Sequence, residues 1–311
     1  MGEREWISRY FRPLATGPGA ASLTDDVAEL SAGGKSLIAT VDALVEGVHF
    51  LASDPIDSVA RKLVRSNVSD ILSKGGRPRE ALLTLGWPQT RGDAQLAQFA
   101  GALGEELAAW GAQLVGGDTT RSPAGLFLSL TLTGTCGPRG PVRRSGAEAG
   151  DTLWVTGEIG AACRGFRALQ AGKPGEAWVS AYREPRLPPA DIAGLVHDHA
   201  SASMDVSDGL LGDARMLAAA SELAVEVDLE AVPFAGGAGQ LAERLELATW
   251  GDDYQVLFAA PPATSGEISA KAAVLGMKIT PIGVLSAGSG LSARLGGEPV
   301  NLPETLGFEH S

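Results

Sequence analysis

The chain has 311 residues, of which 44% are hydrophobic and 20% charged, and a formal charge of −12. That length fits two domains of roughly 150 residues each, and no apolar run approaches the ~20 residues that cross a bilayer, so a soluble chain with no membrane partner is expected. Net negative charge repels nucleic acid and anionic lipid, but it leaves phosphate ligands open wherever divalent cations stand between carboxylate and phosphate.

In chain order, Trp6, Ile7, Tyr10 and Phe11 share one side of an opening helix that Pro13 ends or bends. The same N-terminus lacks the basic stretch and apolar core of an export signal, and the two cysteines, Cys136 and Cys163, lie far apart, a pattern that points to a reducing cytoplasm. After Asp25-Asp26, residues 27–30 predict a short strand, and 37–41 a compact one that ends at Asp42. From Asp57 to Lys74, the residues Ala60, Leu63, Val64, Val68, Ile71 and Leu72 recur at helical spacing, and Gly75-Gly76 with Pro78 supply the stop.

Residues 81–85 predict a further strand, 94–110 a second amphipathic helix, and 113–115 a short strand running into a Gly116-Gly117-Asp118-Thr119-Thr120 turn. Leu126, Leu128, Leu130 and Leu132 alternate with Phe127, Ser129, Thr131 and Thr133, the period of a strand with one buried face. Over 137–150 the composition turns to Gly, Pro and Arg, which places a domain boundary near residue 145 and domains at 1–145 and 146–311. Beyond it, 152–156, 202–206, 225–229 and 255–259 predict strands and 210–221 a helix. Both halves are α/β.

The residues with chemical potential are acids. Asp25, Asp26, Asp42, Asp70, Asp118, Asp205, Asp208, Asp252 and Asp253 sit mostly in or beside glycine-rich turns next to predicted strands, where open α/β sheets bind ligands. Carboxylates gathered there repel one another unless cations intervene, and Mg²⁺ is the usual ion between acids and a nucleotide. Aspartate also favours turns with no ligand at all, because its side chain bonds nearby amides. Asp205-Val206-Ser207-Asp208-Gly209 leads a strand into a helix N-terminus that can receive an anion, with a plain N-cap as the other reading. Asn67 falls on the apolar side of its helix, where it requires a hydrogen-bonding partner. Arg143-Arg144-Ser145-Gly146 offers a guanidinium for phosphates or a solvated linker. His49, just past Asp42, offers a phosphate contact or a structural histidine. Gly34-Lys35-Ser36 is not a P-loop, because Glu29 stands where that loop needs glycine.

Taken together, Asp25-Asp26, Thr40-Val41-Asp42 through His49-Phe50, Asn67-x-Ser69-Asp70, Gly116-Gly117-Asp118, Arg144-Ser145-Gly146-Ala147, Asp205-x-Ser207-Asp208-Gly209 and Gly251-x-Asp253-Tyr254 resemble the thiamine-monophosphate kinase family, over nearly the whole chain. The wider superfamily includes aminoimidazole ribonucleotide synthetases, selenophosphate synthetases and hydrogenase-maturation ATPases. The resemblance implies a two-domain α/β (α+β) chain of the aminoimidazole ribonucleotide synthetase-like fold, dimeric through a barrel of N-terminal strands, with ATP and several Mg²⁺ ions between the domains. By position it implies Asp25, Thr40, Asp42, Asp70, Asp118, Asp205 and Asp208 as metal ligands, and Gly117, Asp118, Arg144 and Ser207 as ATP contacts. His49, Asp252 and Phe308 follow as substrate contacts. The sequence departs from the family in carrying Ser22-Leu23-Thr24 for its Gly-Ile-Gly, Val41 for a common hydroxyl residue, and Asp252 for its glutamate.

The implied reaction is in-line transfer of the γ-phosphoryl group of ATP to thiamine monophosphate. An acceptor phosphate with second pKa ~6 needs no protein base, so no protein nucleophile or base is expected and positioning with charge neutralisation supplies the catalysis. Three other readings stand beside it: an ATP-dependent synthetase that activates a carbonyl oxygen, a phosphatase using Asp205 as nucleophile, and a nucleotide- or metal-binding regulator without turnover.

Overall fold

The computed structural model describes residues 12–14, 18–32 and 35–308. The opening helix expected around Trp6 to Phe11 lies outside the described residues. The described chain is organised by two sheets. The first has the order β1 (Ala28–Ala32), β2 (Lys35–Val45), β5 (Phe127–Cys136), β3 (Gly76–Pro88), β4 (Gln113–Ser122), antiparallel except between β3 and β4. Its central strand β5 follows its alternation: Leu128, Leu130 and Leu132 are fully buried, and the neighbouring residues face the other side.

Strands β2, β3 and β4 run well past their apolar cores, and two expectations change as a result. Asp42 is not at a strand end but in the interior of β2, opposite Leu130. Gly116 to Thr120 is not a turn but the middle of edge strand β4. The reason is that ladder hydrogen bonds are made by backbone, so pairing continues through polar residues as long as the partner strand does.

Helix α1 (Ile56–Ser73) lies on the inner face of this sheet against β2, β3 and β5, and α2 (Asp93–Ala109) packs beside it. Both match the predicted helices within a residue or two. The second sheet has the order β12 (Glu298–Val300), β11 (Gly290–Leu295), β8 (Leu223–Asp228), β10 (Ile279–Ala287), β6 (Thr152–Thr156), β9 (Gln255–Ala260), β7 (Ala202–Val206), antiparallel except between β8 and β11. The same half of the chain supplies α3 (Ala161–Gln170), α4 (Val179–Arg183), α5 (Ile192–His199), α6 (Leu210–Ala220), α7 (Leu241–Thr249) and α8 (Ser265–Val274), of which α6 packs on this sheet and α5 reaches α1 and β3.

Helix α1 also reaches β7 and β9, so one helix is packed against both sheets. Its burial is nearly all-round: beside the apolar residues, Lys62, Ser66, Asn67, Ser69 and Ser73 are buried as well. Trp154 on β6 and Phe258 on β9 stack at 6.3 Å within the same hydrophobic core as α1. Among the described residues no helix is long and apolar enough to cross a membrane.

Candidate active site

A cavity of about 520 Å³ opens where α1, the inner face of β2 and the loop after β7 meet. Asp42, Asp70, Asp205 and Asp208 line one end of it. Each arrives by a simple route. Asp42 projects from the inner face of β2, where it shares a face with Leu130. Asp70 is in the last turns of α1, and Asp205 is next to last in β7. Asp208 lies in the turn before α6, where the backbone N–H groups of Asp208 and Gly209 donate to the buried Asp213 carboxylate at 3.2 and 3.1 Å.

Carboxylate oxygens of Asp26, Asp70 and Asp205 lie within 4.8 Å of one another. Burial, with the charges of Asp42, Asp205 and Asp26 added, holds the Asp70 carboxyl well above its ordinary range, against the Thr40 hydroxyl that donates to it at 2.5 Å. Burial also raises Asp205 to about 7, helped by Asp26 and opposed by the Ser69 hydroxyl that donates at 2.7 Å. Asp42 rises to about 6 through burial and the charges of Asp26 and Asp208. Asp26 goes the other way: burial would raise it, but the guanidinium of Arg144 and the ammonium of Lys74 bring it down to about 2.

These acids are hard oxygen donors that are expensive to ionise side by side, which fits a hard divalent cation such as Mg²⁺. Asn67 is fully buried and satisfied: its amide donates to the Leu63 carbonyl at 2.9 Å, and its oxygen accepts the Asp42 N–H at 3.2 Å. It ties the carboxylate strand to the carboxylate helix.

The other end of the cavity is aromatic. Phe166 sits 5.3 Å from Tyr182 and 5.1 Å from Trp250 between ring centroids; Tyr254 and Phe308 also line the cavity, nearer the acids, with the Phe308 N–H donating to the Asp208 carbonyl at 2.8 Å. Asp252 and His49 also line it. Lys62 ties this end together: its fully buried ammonium donates to Asp252 at 2.7 Å and to the His49 carbonyl at 2.8 Å, 4.6 Å above the Tyr182 ring. The His49 imidazole accepts the Val45 N–H through Nδ1 at 3.0 Å. Asp252 (φ 69°) and Tyr254 (φ 50°) are held in the left-handed region that side chains avoid, because their N–H groups bond to the carbonyls of Ser207 and Val206 at 2.8 Å. The adjacent Asp253 has a different role: it accepts the Gly160 N–H at 2.7 Å in front of α3.

Of the residues expected at the site, the structure brings Asp42, His49, Asp70, Asp205, Ser207, Asp208, Asp252 and Phe308 to one cavity. Thr40 supports Asp70 from the same face of β2. Arg144 lies against Asp26, and Asp25 accepts the Arg144 N–H at 2.9 Å while facing Lys74 at 3.3 Å. Gly117 and Asp118 are not brought to the group within this chain. The register pairs Asp118 with Thr84, and Thr84 with Ser129, which sets the Asp118 carboxylate on the outer face of the sheet, opposite to Asp42. Gly117 is nonetheless constrained: with φ 148°, a Cβ there would stand 1.9 Å from the Leu83 carbonyl oxygen.

Lys62, Lys74 and the aromatic wall of Phe166, Tyr182 and Trp250 are additions that sequence reasoning missed, and Ser69, present in the Asn67-x-Ser69-Asp70 motif, gains a role through its bond to Asp205. One signal was available: Lys62, Ser66, Asp70 and Lys74 recur every four residues, a polar line whose Lys62, Ser66 and Lys74 are buried.

Comparison with known proteins agrees with this architecture. Residues 24–136 match the family "AIR synthase related protein, N-terminal domain" and residues 148–296 its C-terminal counterpart. The thiamine-monophosphate kinase of Caulobacter vibrioides is 39% identical over 99% of this chain and 90% of that protein, and that of Escherichia coli K12 is 32% identical over 99% and 98%. A solved structure described as "AaThiL complexed with AMPPCP and TMP" superposes with a TM-score of 0.85 at 28% identity, covering 100% of this chain and 97% of that one. With both domain types in order and this identity over essentially its full length, the chain belongs to the thiamine-monophosphate kinase family.

Proposed function

We propose that the chain transfers the γ-phosphoryl group of ATP to the phosphate of thiamine monophosphate, giving thiamine diphosphate and ADP. The observation that carries this reading is one cavity with carboxylates at one end and a Lys62-anchored aromatic and acidic wall at the other. Two polyanions fit the first end only with cations between them and the acids, and a planar cationic heterocycle fits the second.

In this reading Asp42, Asp70, Asp205 and Asp208 hold magnesium, which when bound neutralises the phosphate oxygens on which charge accumulates. Thr40 and Ser69 fix the orientation of Asp70 and Asp205 through their hydroxyl hydrogen bonds. Ser207 offers its hydroxyl to phosphate oxygens beside the turn before α6, whose own Asp208 and Gly209 N–H groups are held by Asp213. Arg144 lies beside Asp26, where it contributes fixed positive charge for the nucleotide. Phe166 and Trp250 at the other end, and Phe308 nearer the acids, stack on the rings, and Asp252 faces their positive charge. The acceptor phosphate is ionised near neutral pH, so no side chain has to remove a proton. Asp25, Gly117 and Asp118 carry their assigned roles on resemblance alone.

The same reading takes in a domain division at residue 145, a cytoplasmic setting that suits the free thiols of Cys136 and Cys163, and a homodimer. Val41 and Leu82, paired with the same residue Thr131, are 61% and 47% exposed on the outer face of the first sheet, a surface that fits burial against a second copy. Leu82→Asp should shift the species seen by light scattering to monomer; an unchanged dimer removes this face as the interface.

The direct test is phosphorus NMR of purified protein with ATP, Mg²⁺ and thiamine monophosphate. A new diphosphate doublet with ADP is expected. Free phosphate with a carbonyl acceptor, or ATP binding with no ADP, would overturn the proposal in favour of a synthetase or a regulator.

A further inference from the structure

Lys74 follows the last residue of α1, and its side chain is fully buried. An ammonium removed from water is expensive unless opposite charge surrounds it. Its Nζ donates to the backbone carbonyl of Ser203 in β7 at 2.5 Å, stands 3.3 Å from Asp25 Oδ1, and forms a closer ion pair with Asp26 Oδ2. Asp26 also accepts from Arg144 Nε at 2.9 Å, and it belongs to the trio with Asp70 and Asp205. Lys74 does not line the cavity, so a ligand entering there meets the acids first. Pinning the end of α1 to β7 needs only the Ser203 contact. The two carboxylates give the ammonium a second effect, which is on charge.

We propose that Lys74 is a resident cation of the acid group: its fixed charge offsets Asp25 and Asp26, withholds Asp26 from divalent ions, and sets how many such ions the group holds and how tightly. The inference rests on reading the group as a magnesium site. Without Lys74 the same acids present one more uncompensated charge to any entering cation. Removing a unit charge about 6 Å from a divalent ion changes its affinity by about tenfold even at the dielectric of water. The charge therefore matters more than the few contacts the side chain makes.

The test titrates Mn²⁺, read by electron paramagnetic resonance, into ligand-free wild type, Lys74→Met, Lys74→Arg and Asp70→Asn. Lys74→Met is expected to bind Mn²⁺ about tenfold more tightly, or to take up one further ion. Lys74→Arg, which keeps the charge, is expected to follow wild type, and Asp70→Asn to lose binding. A Lys74→Met isotherm that overlays wild type, while Asp70→Asn is weakened, overturns the role of Lys74 alone. An Asp70→Asn isotherm that overlays wild type overturns the metal reading with it. An Arg variant that behaves like the Met variant assigns the effect to packing and also overturns the proposal. If Lys74→Met unfolds without metal, melting over a Mn²⁺ series decides: a larger rise in midpoint than wild type supports the proposal, and an equal or smaller rise refutes it.

Discussion

Replacing Asp205 by Asn should stabilise the ligand-free protein while removing its activity. Asp205 is 2% exposed, and its carboxyl is raised from 3.8 to about 7, chiefly by burial. A raised acid binds more protons folded than unfolded, so stability is lost as pH rises from the unfolded value through the folded one, and no loss remains to be made above it. At 1.36 kcal/mol per pH unit the ceiling is about 4 kcal/mol at pH 8; relaxation and water entry at an effective dielectric near ~20 bring it to about 2 kcal/mol. Asn removes that term and still accepts the Ser69 hydroxyl. For a chain of this size the gain is about 4 °C in melting midpoint. Scanning fluorimetry in chelator at pH 8 and pH 5 should show the variant above wild type at pH 8, with a smaller gap at pH 5, since the penalty starts only near the unfolded pKa. Added Mg²⁺ should raise wild type and close the gap. A variant that melts below wild type at pH 8, or a gap independent of pH, would refute the reasoning.

Three further outcomes are expected at the site and the loop before it. Asp42→Asn and Asp70→Asn should each lower phosphoryl transfer by about a thousandfold or more while the circular dichroism spectrum is kept; turnover close to wild type in both would separate the carboxylates from the reaction. Lys62→Met releases Asp252 and the His49 loop, so KM for thiamine monophosphate should rise by about tenfold with little change in KM for ATP. An equal change in both would place Lys62 in general packing instead. Ala21, Ser22 and Leu23 have φ of 45°, 54° and 54°, and at Ser22 the family pattern carries glycine. Ser22→Gly should therefore stabilise by about 1 kcal/mol, or about 2 °C, measured by thermal melting; a lower midpoint would mean that the serine side chain contributes more than the strain removes.

Much of this was legible because the relevant signals are local. The α1 and α2 periodicities, the alternation of β5, and the apolar runs of β6, β7 and β9 each report burial directly. The short helices α3, α4 and α5 were not legible, since Gly165, Pro185, Pro188 and Pro189 interrupt the pattern and their stability comes from packing. The acids were visible as a set, but which of them meet was not. Asp42 and Asp118 look alike in sequence, each near an apolar run, and strand register alone sends them to opposite faces. Asp252 and Asp253 are adjacent, yet one lines the cavity and the other serves α3. The aromatic wall draws on residues as far apart as Phe166 and Trp250, so no window of sequence contains it.

The polar stripe of α1 also sets a length. Lys62 anchors the aromatic end and Asp70 belongs to the carboxylate end, and eight residues of helix separate them by about 12 Å. A helix buried against two sheets cannot stretch, so it acts as a ruler between ring and phosphate. A single inserted residue between them would add only about 1.5 Å, but it would turn every later side chain by about 100°. Asp70 and Lys74 would leave the group altogether, which makes this spacing far less tolerant of length change than the loops on either side.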